Sequence, residues 1–380
     1  MTKNNTNRIV LLIFMVLALS LPNSWLHIAH ASKVVEHEVD SAAIAKNMAG
    51  ISGSRHIAVY LPDDYEIGNS RYPVIYIIHG WTCGIYDCNG EPSDIVCQSA
   101  LDEAIKAGQI PPVITVAIDV HEGVLFLNSP VFGNWEDFLV SELIPFIDEN
   151  YRTIPDKSGR GIIGHSAGGY AALMLSVLHP GVFSTLGAND PMTWAMWIYI
   201  RDVKDFTADW AASMFSDVRN ALKNPPKNPA DALLADNFWK SNAMQIGTAV
   251  SPNMDKPGFF DSPVNNNGEW VPDIREKWQA YDLTDLKTIA KNSGTLNSMS
   301  SINIIVPAND GNRDTNINFI GRLKSSGISV NRLDMRGGHC EFLPEQTVAF
   351  AENMLKAMQG NLTSVSSKGK MATLWGEIRR

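Results

Sequence analysis

Cysteine is scarce in this chain. Its 380 residues include four, Cys83, Cys88, Cys97 and Cys340, and the C-x4-C-x8-C spacing of the first three fits no zinc-binding pattern. A block of positive charge is also missing. The chain sets 31 basic residues against 40 acidic ones, a formal net charge of −9, which argues against a surface built to track a nucleic acid backbone. No internal repeat is present, so solenoid and propeller architectures are set aside. The only long, almost wholly apolar stretch runs from Ile9 to Leu21.

What is present begins with that stretch. Lys3 and Arg8 precede it, and Ala29-His30-Ala31 follows as a small-x-small cleavage pattern before Ser32. Together they read as a signal peptide over residues 1–31. The apolar part is shorter than the roughly 20 residues a bilayer span needs, and no cysteine follows it to carry a lipid. Removing Lys3 and Arg8 leaves 29 basic residues against 40 acidic ones. The expectation is a secreted or periplasmic protein with no stable membrane span after cleavage.

The sequence as a whole is 45% hydrophobic and 19% charged, which suits one large α/β domain over residues 32–360 with a polar tail over 361–380. Residues 32–55 carry no clear pattern. His56 to Leu61 alternates as an early strand, and Tyr72 to Ile78 is a continuous apolar, β-branched run, the pattern of a parallel strand covered on both faces. Strands are expected again at Pro112–Asp119, before Ser166, at Val182–Ala188, at Ile302–Val306 and at Ser329–Met335. Between them fall helices near 99–107, from Trp135 with Asn134 as its cap, after Ser166, near 316–324 and over 348–358. This alternation predicts a doubly wound, mostly parallel sheet. Residues 190–298 interrupt it and hold six of the ten tryptophans, among them Trp194 and Trp197. A long insertion at this point predicts a cap or pocket wall over the C-terminal edge of the sheet, where open α/β sheets place their ligands.

Three groups of complementary chemistry lie at the ends of these strands. Gly164-His165-Ser166-Ala167-Gly168 fits a nucleophile elbow, a sharp strand-to-helix turn whose glycines remove Cβ atoms where strand and helix pass closest. A serine hydroxyl needs an imidazole to take its proton, and the imidazole needs a carboxylate to fix its tautomer. Ser166, Asp310 and His339 occur in the order nucleophile, acid, base. Asp314, on the same loop as Asp310, stays open as an alternative acid. Backbone N–H groups of Ala167 and of Trp81, after His79-Gly80, are the expected oxyanion donors. His79 and His165 read as structural, and His121 has no supporting context. The Asp310, Asn312, Asp314 series opens like a calcium loop but carries Thr315 where glycine is needed and Gly321 where glutamate is needed. No metal or cofactor is expected.

On these motifs the chain resembles the esterase family that includes esterase D, feruloyl esterases and the mycolyltransferases of the antigen 85 group. The shared stretches are Tyr72 to Gly80, Glu142 to Asp148 with Tyr151-Arg152-Thr153, Gly164 to Gly169, Ser251 to Pro257 and Gly337-Gly338-His339, which together cover most of residues 56–355. The resemblance implies an α/β-hydrolase fold and hydrolysis of carboxylic esters, with Ser166 and His339 at the family's nucleophile and base positions. One departure concerns the acid. The family's Gly-x-x-Asp element is replaced at the strand end by Pro307-Ala308-Asn309-Asp310 and is imitated four residues later by Gly311-Asn312-Arg313-Asp314.

The expected function is therefore that of an exported serine carboxylesterase acting through an acyl-enzyme on a small-molecule or carbohydrate-linked ester. The alternative is an acyltransferase that passes the acyl group to a sugar or lipid hydroxyl. Because the loops after the Tyr72–Ile78 strand and after the last strand both border such a site, Cys340 is expected to be disulfide-bonded to Cys83, Cys88 or Cys97, with the remaining two paired locally. The oligomeric state is left open.

Overall fold

Eight strands form one sheet in a computed structural model of the chain: β1 (Lys33–Asp40), β2 (Ser54–Leu61), β3 (Val74–Ile78), β4 (Ile114–Ile118), β5 (Arg160–His165), β6 (Thr185–Asn189), β7 (Ser301–Pro307) and β8 (Asn331–Met335), in the spatial order β1-β2-β4-β3-β5-β6-β7-β8. The structure describes residues 31–366 apart from 82, 89–90, 93, 121–124, 194–197, 201–208 and 234–237. The expected signal peptide, the tail from residue 367, His121, Trp194 and Trp197 lie outside the described residues.

The β1–β2 and β2–β4 pairs are antiparallel, and all the others are parallel. This is the expected α/β-hydrolase architecture. Strands β3, β4 and β6 are buried along their whole length, as is β5, because helices cover both faces and every side chain must be sheltered. The strand absent from the sequence expectation is β1. It pairs only with β2, and its Glu36, Glu38 and Asp40 face water, so its apolar content is too thin to announce a strand.

One core fills each face of the sheet. On one side lies the helix after Ser166, Ala167–Leu178, buried at all but its last residue. On the other, the closing helix Leu343–Ser366 lays Phe350, Met354 and Met358 against the strands, beside the helix Gln98–Lys106. A continuous helical run from Trp135 to Asn150 contains a π-helical stretch, Phe138–Leu143. Asn134 occupies its N-cap position but makes no side-chain cap bond. Asn128 provides one instead, its Oδ1 accepting from the Asp137 N–H at 3.2 Å, a partner nine residues back that spacing rules do not reveal.

The insertion between β6 and β7 is largely helical, with Asp209–Lys223, Phe238–Val250, Pro272–Gln279 and Leu286–Asn297 as its longer helices. Trp278 is its buried anchor. The indole N–H donates to Ser251 Oγ at 2.8 Å, and the ring packs against Tyr199 and Phe260. Tyr170 of the elbow helix donates to the Tyr281 carbonyl at 3.0 Å and ties the insertion to the sheet. Among the described residues, no helix is long and apolar enough to cross a membrane.

Candidate active site

Strand register decides which side chains meet at the C-terminal edge. Gly164 of β5 pairs with Ile78 of β3, His165 pairs with Asn189 of β6, and Asn189 pairs with Ile305 of β7. The chain therefore leaves the sheet side by side at His79, Ser166 and Asp190, with the loop to Asp310 next along. Ser166 turns at φ +54°, ψ −115°, a backbone region that costs a non-glycine residue of order 1–3 kcal/mol. The surrounding fold holds it there: the Ser166 N–H donates to the Asn189 carbonyl, and the Ser166 carbonyl accepts from Tyr170 and Met192. A Cβ at Gly164 would lie 1.9 Å from the Gly168 carbonyl oxygen, and one at Gly168 would lie 2.4 Å from the His79 oxygen. No side chain fits at either position, which is the physical content of the Gly-x-Ser-x-Gly spacing.

His339 sits on the loop after β8. That loop is bonded to the loop after β7, with Ala308 N–H on the Met335 carbonyl and Asn309 N–H on the Gly337 carbonyl. The imidazole Nε2 lies 2.9 Å from Ser166 Oγ. On the opposite side, Nδ1 meets two carboxylates, Asp310 Oδ2 at 2.7 Å and Asp190 Oδ2 at 2.6 Å. The structure thus brings Ser166, His339 and Asp310 together. Asp314 is not part of the group and lies exposed in the first turn of helix Arg313–Ser325.

Sequence reasoning missed Asp190. Its signal was available: Asn189-Asp190 ends β6 in the same way that Asn309-Asp310 follows β7, an acid directly at the C-terminal end of a parallel strand. Asp190 is fully buried, and Asn316 Nδ2 and Asn312 Nδ2 donate to it at 2.8 and 3.3 Å. Burial and a hydrogen bond with Asp310 push its carboxyl above the usual carboxylate range, outweighing the pull of His339. At Asp310 burial acts in the same direction but is overcome by bonds from His339, Asp190 and the Asn312 N–H, so its carboxyl is held low. For His339, burial disfavours the charged ring, but the two carboxylates outweigh it and raise the pKa to about 9.

The remaining predicted residues line the same edge. Gly80 passes Ser166 closely enough that a Cβ there would lie 3.2 Å from Ser166 Cβ. This brings the backbone leading to Trp81 beside the serine, while Ala167 opens the following helix. His79 bridges two strand ends: its Nε2 accepts from the Val120 N–H at 2.9 Å and its Nδ1 donates to the Gly80 carbonyl at 2.8 Å. The His165 ring packs 4.9 Å from that of His339, and burial pushes its pKa down to about 3, leaving it uncharged.

The cysteine expectation is corrected. Cys340 and Cys97 are not disulfide-bonded, so the Cys340 bridge is overturned, whereas Cys83 is disulfide-bonded. Cys340 Sγ shares a cluster with Cys83 Sγ and a His165 ring nitrogen, all within 4.8 Å of one another, so the sulfurs are neighbours without the ~2.05 Å bond of a disulfide. Cys97 is buried in the second core, and its thiol is pushed up to about 12, chiefly by that burial. Its role there is that of a small apolar side chain. The Cys88 side chain lies outside the described residues.

Asp190, Asp310 and His339 also offer oxygen and nitrogen atoms within 4.8 Å of one another, but those atoms are engaged in the hydrogen bonds just described. A separate cavity of about 550 Å³ lies in the insertion, lined by Trp270, Arg275, Gln279, Thr288 and Lys291 among others. None of the Ser166, His339, Asp310 and Asp190 side chains lines it, so size alone does not point to the chemistry.

Comparison with known proteins agrees with this geometry. The family model described as "Putative esterase" matches residues 49–300. An esterase of Mycobacterium tuberculosis is 31% identical over 139 residues, 35% of this chain and 28% of the relative. An endo-1,4-beta-xylanase/feruloyl esterase of Xylanibacter ruminicola is 34% identical over 139 residues, 34% of this chain and 18% of the relative. The matches thus span less than a third of the length of these relatives. Among solved structures, a ferulic acid esterase superposes with a TM-score of 0.56 at 16% identity, covering 86% of this chain and 99% of the other. The fluorophosphonate-binding serine hydrolase FphF of Staphylococcus aureus gives 0.52 at 12% identity, covering 86% and 99%. These two likenesses show the fold. With the family model matching well over half of the sequence, the chain belongs to this esterase family of α/β-hydrolases.

Proposed function

We propose that the protein is an exported serine carboxylesterase that works through a covalent acyl-enzyme. The observation that carries this reading is the continuous hydrogen-bonded line from Ser166 Oγ through His339 to Asp310, mounted on an elbow that no side chain at Gly164 or Gly168 would permit. In the first step Ser166 Oγ attacks the ester carbonyl carbon while its proton passes to His339 Nε2. The N–H groups of Ala167 and Trp81 receive the oxyanion, and collapse expels the alcohol, which takes the proton back from Nε2. In the second step a water molecule repeats the sequence, releasing the acid and restoring the Oγ–H. The substrate assigned here is a small-molecule or carbohydrate-linked ester, in keeping with the feruloyl esterase named among the relatives. Export rests on the charged start, apolar stretch and Ala29-His30-Ala31 of the N-terminus.

The test is Ser166→Ala assayed on aryl esters of graded acyl length. The expected result is loss of kcat by about 10⁶ with an unchanged circular dichroism spectrum, together with loss of labelling by a fluorophosphonate probe. Turnover kept within tenfold would overturn the serine mechanism. Adding an alcohol acceptor to the wild-type assay separates hydrolysis from acyl transfer, and free acid as the dominant product is the expected result.

A further inference from the structure

We infer that Asp190 is a second positioning acid for His339, sharing the Nδ1 proton with Asp310 so that either carboxylate alone keeps the imidazole aligned on Ser166. The inference rests on the Ser166–His339 reading above. Its basis is a convergence from two separate strands. Asp190 leaves β6 and Asp310 follows β7, yet one oxygen of each lies within hydrogen-bond distance of the same nitrogen. Their side chains are 0% and 2% exposed, so both oxygens face the ring in a site sheltered from water.

A structural purpose alone does not account for this placement. Asn316 and Asn312 already satisfy Asp190 from the helix side, and an asparagine or serine there would bond to them without bringing a second carboxyl group to the imidazole. Burying an extra carboxylate is costly unless it is paired. The backbone adds a cost of its own, because Asp190 adopts φ +43°, the left-handed region, and is fixed there by its N–H on the Ile305 carbonyl. A strained, buried acid that reaches the base of the relay is an arrangement the fold sustains against its own stability.

Charge balance favours sharing. Two carboxylates this close to one another resist ionising together, so burial and the hydrogen bond with Asp310 hold Asp190 above the usual carboxylate range while Asp310 stays below it. The two carboxylates together face the imidazolium formed when Nε2 takes the serine proton, and the Nδ1 proton stays on the ring throughout. The other groups facing His339 do not disturb this balance. His165 packs on the ring uncharged, and His79, after β3, is engaged with Val120, Gly80 and Asp119. Cys340 and Cys83 lie at the His165 edge. Arg313, next to the acid loop, turns its guanidinium to Asp334 and to the carbonyls of Val306 and Pro307.

The experiment compares kcat and kcat/KM on p-nitrophenyl acetate, across pH, for wild type, Asp310→Asn, Asp190→Asn, the double variant and Ser166→Ala. Loss of a sole triad acid costs about 10⁴. Asp310→Asn is expected to lose about 10² or less, because Asp190 still holds Nδ1, and the double variant is expected to fall the full ~10⁴. Asp190→Asn should move the rising limb of the kcat/KM profile to lower pH by about one unit, since an acidic partner within hydrogen-bond distance of the ring is gone. A purely structural Asp190 would leave that limb in place. An Asp310→Asn variant already at the double variant's level, or an unmoved limb in a folded Asp190→Asn, overturns the inference. If Asp190→Asn does not fold, Asp310→Asn decides alone: a loss of about 10⁴ overturns the sharing and a loss of about 10² supports it. Ser166→Ala retaining turnover is a different result, which removes the serine reading on which the inference stands.

Discussion

His339 is pulled in two directions by its surroundings, and the outcome sets how activity depends on pH. The two carboxylates at Nδ1 raise its pKa to about 9 against the opposing effect of burial. In the proposed mechanism the ring must be uncharged at Nε2 to accept the serine proton, so the active form accumulates as pH rises through that value and is lost on acidification. The expected profile of kcat/KM therefore climbs from neutral pH towards about 9, with a slope of one on the acid side, and titration of initial rates on an aryl ester measures it. A plateau already complete at pH 7 would mean that the carboxylates do not stabilise the imidazolium as the geometry requires. The same residues show how far sequence reading reaches at this scale. Ser166 and His339 could be placed because each sits in a short motif with its own steric logic, Gly-x-Ser-x-Gly and Gly-Gly-His. Asp190 belongs to no motif. Its relation to His339 arises from β6 lying next to β5 and β7, which a linear pattern does not encode.

At the scale of the element, the elbow and the helices carry opposite expectations for the same substitution. Gly164→Ala would drive a Cβ to 1.9 Å from the Gly168 carbonyl oxygen, a backbone overlap that neither strand nor helix can relieve locally. Destabilisation at the upper end of the roughly 1–3 kcal/mol typical of overpacking, or beyond it, is expected, along with loss of activity. Gly294 lies inside the helix Leu286–Asn297, and a Cβ there would meet nothing within 4 Å. Gly294→Ala is expected to stabilise by about 0.5–1 kcal/mol, because alanine loses less backbone freedom in a helix. Urea unfolding of the two variants beside wild type tests both, and a destabilising Gly294→Ala would contradict the helical reading. The buried strands were legible as elements because being covered on both faces demands an unbroken apolar run. Strand β1 was not, since an edge strand needs only half of such a run.

For the whole molecule, the question is whether the helical insertion is an independent attachment or part of the cooperative fold. Trp278 is fully buried, donates to Ser251 and packs on Tyr199 and Phe260, while Tyr170 and Tyr281 link the elbow helix to the same region. Trp278→Ala is expected to cost about 3–5 kcal/mol and to lower the midpoint of a single unfolding transition that intrinsic fluorescence and activity follow together. Two separated transitions would show that the insertion melts on its own.

The sheet's central strands, the elbow and the order of serine, acid and histidine can all be read along the chain, because each depends on a local requirement: an apolar run, a space that glycine alone leaves, a residue type at a strand end. How those ends are paired follows from the packed fold. Packing sets Asp310 rather than Asp314 on the imidazole, because Asp310 lies at the end of β7 whereas Asp314 has already entered the next helix and turned to water. The register of β5, β6 and β7 adds Asp190. Cys340 stays without its expected disulfide, although the loops carrying Cys340 and Cys83 approach as the strand order requires. Proximity of two loops follows from topology, but a bond or a shared proton follows from the last few ångströms, and those are set by packing across the sheet edge.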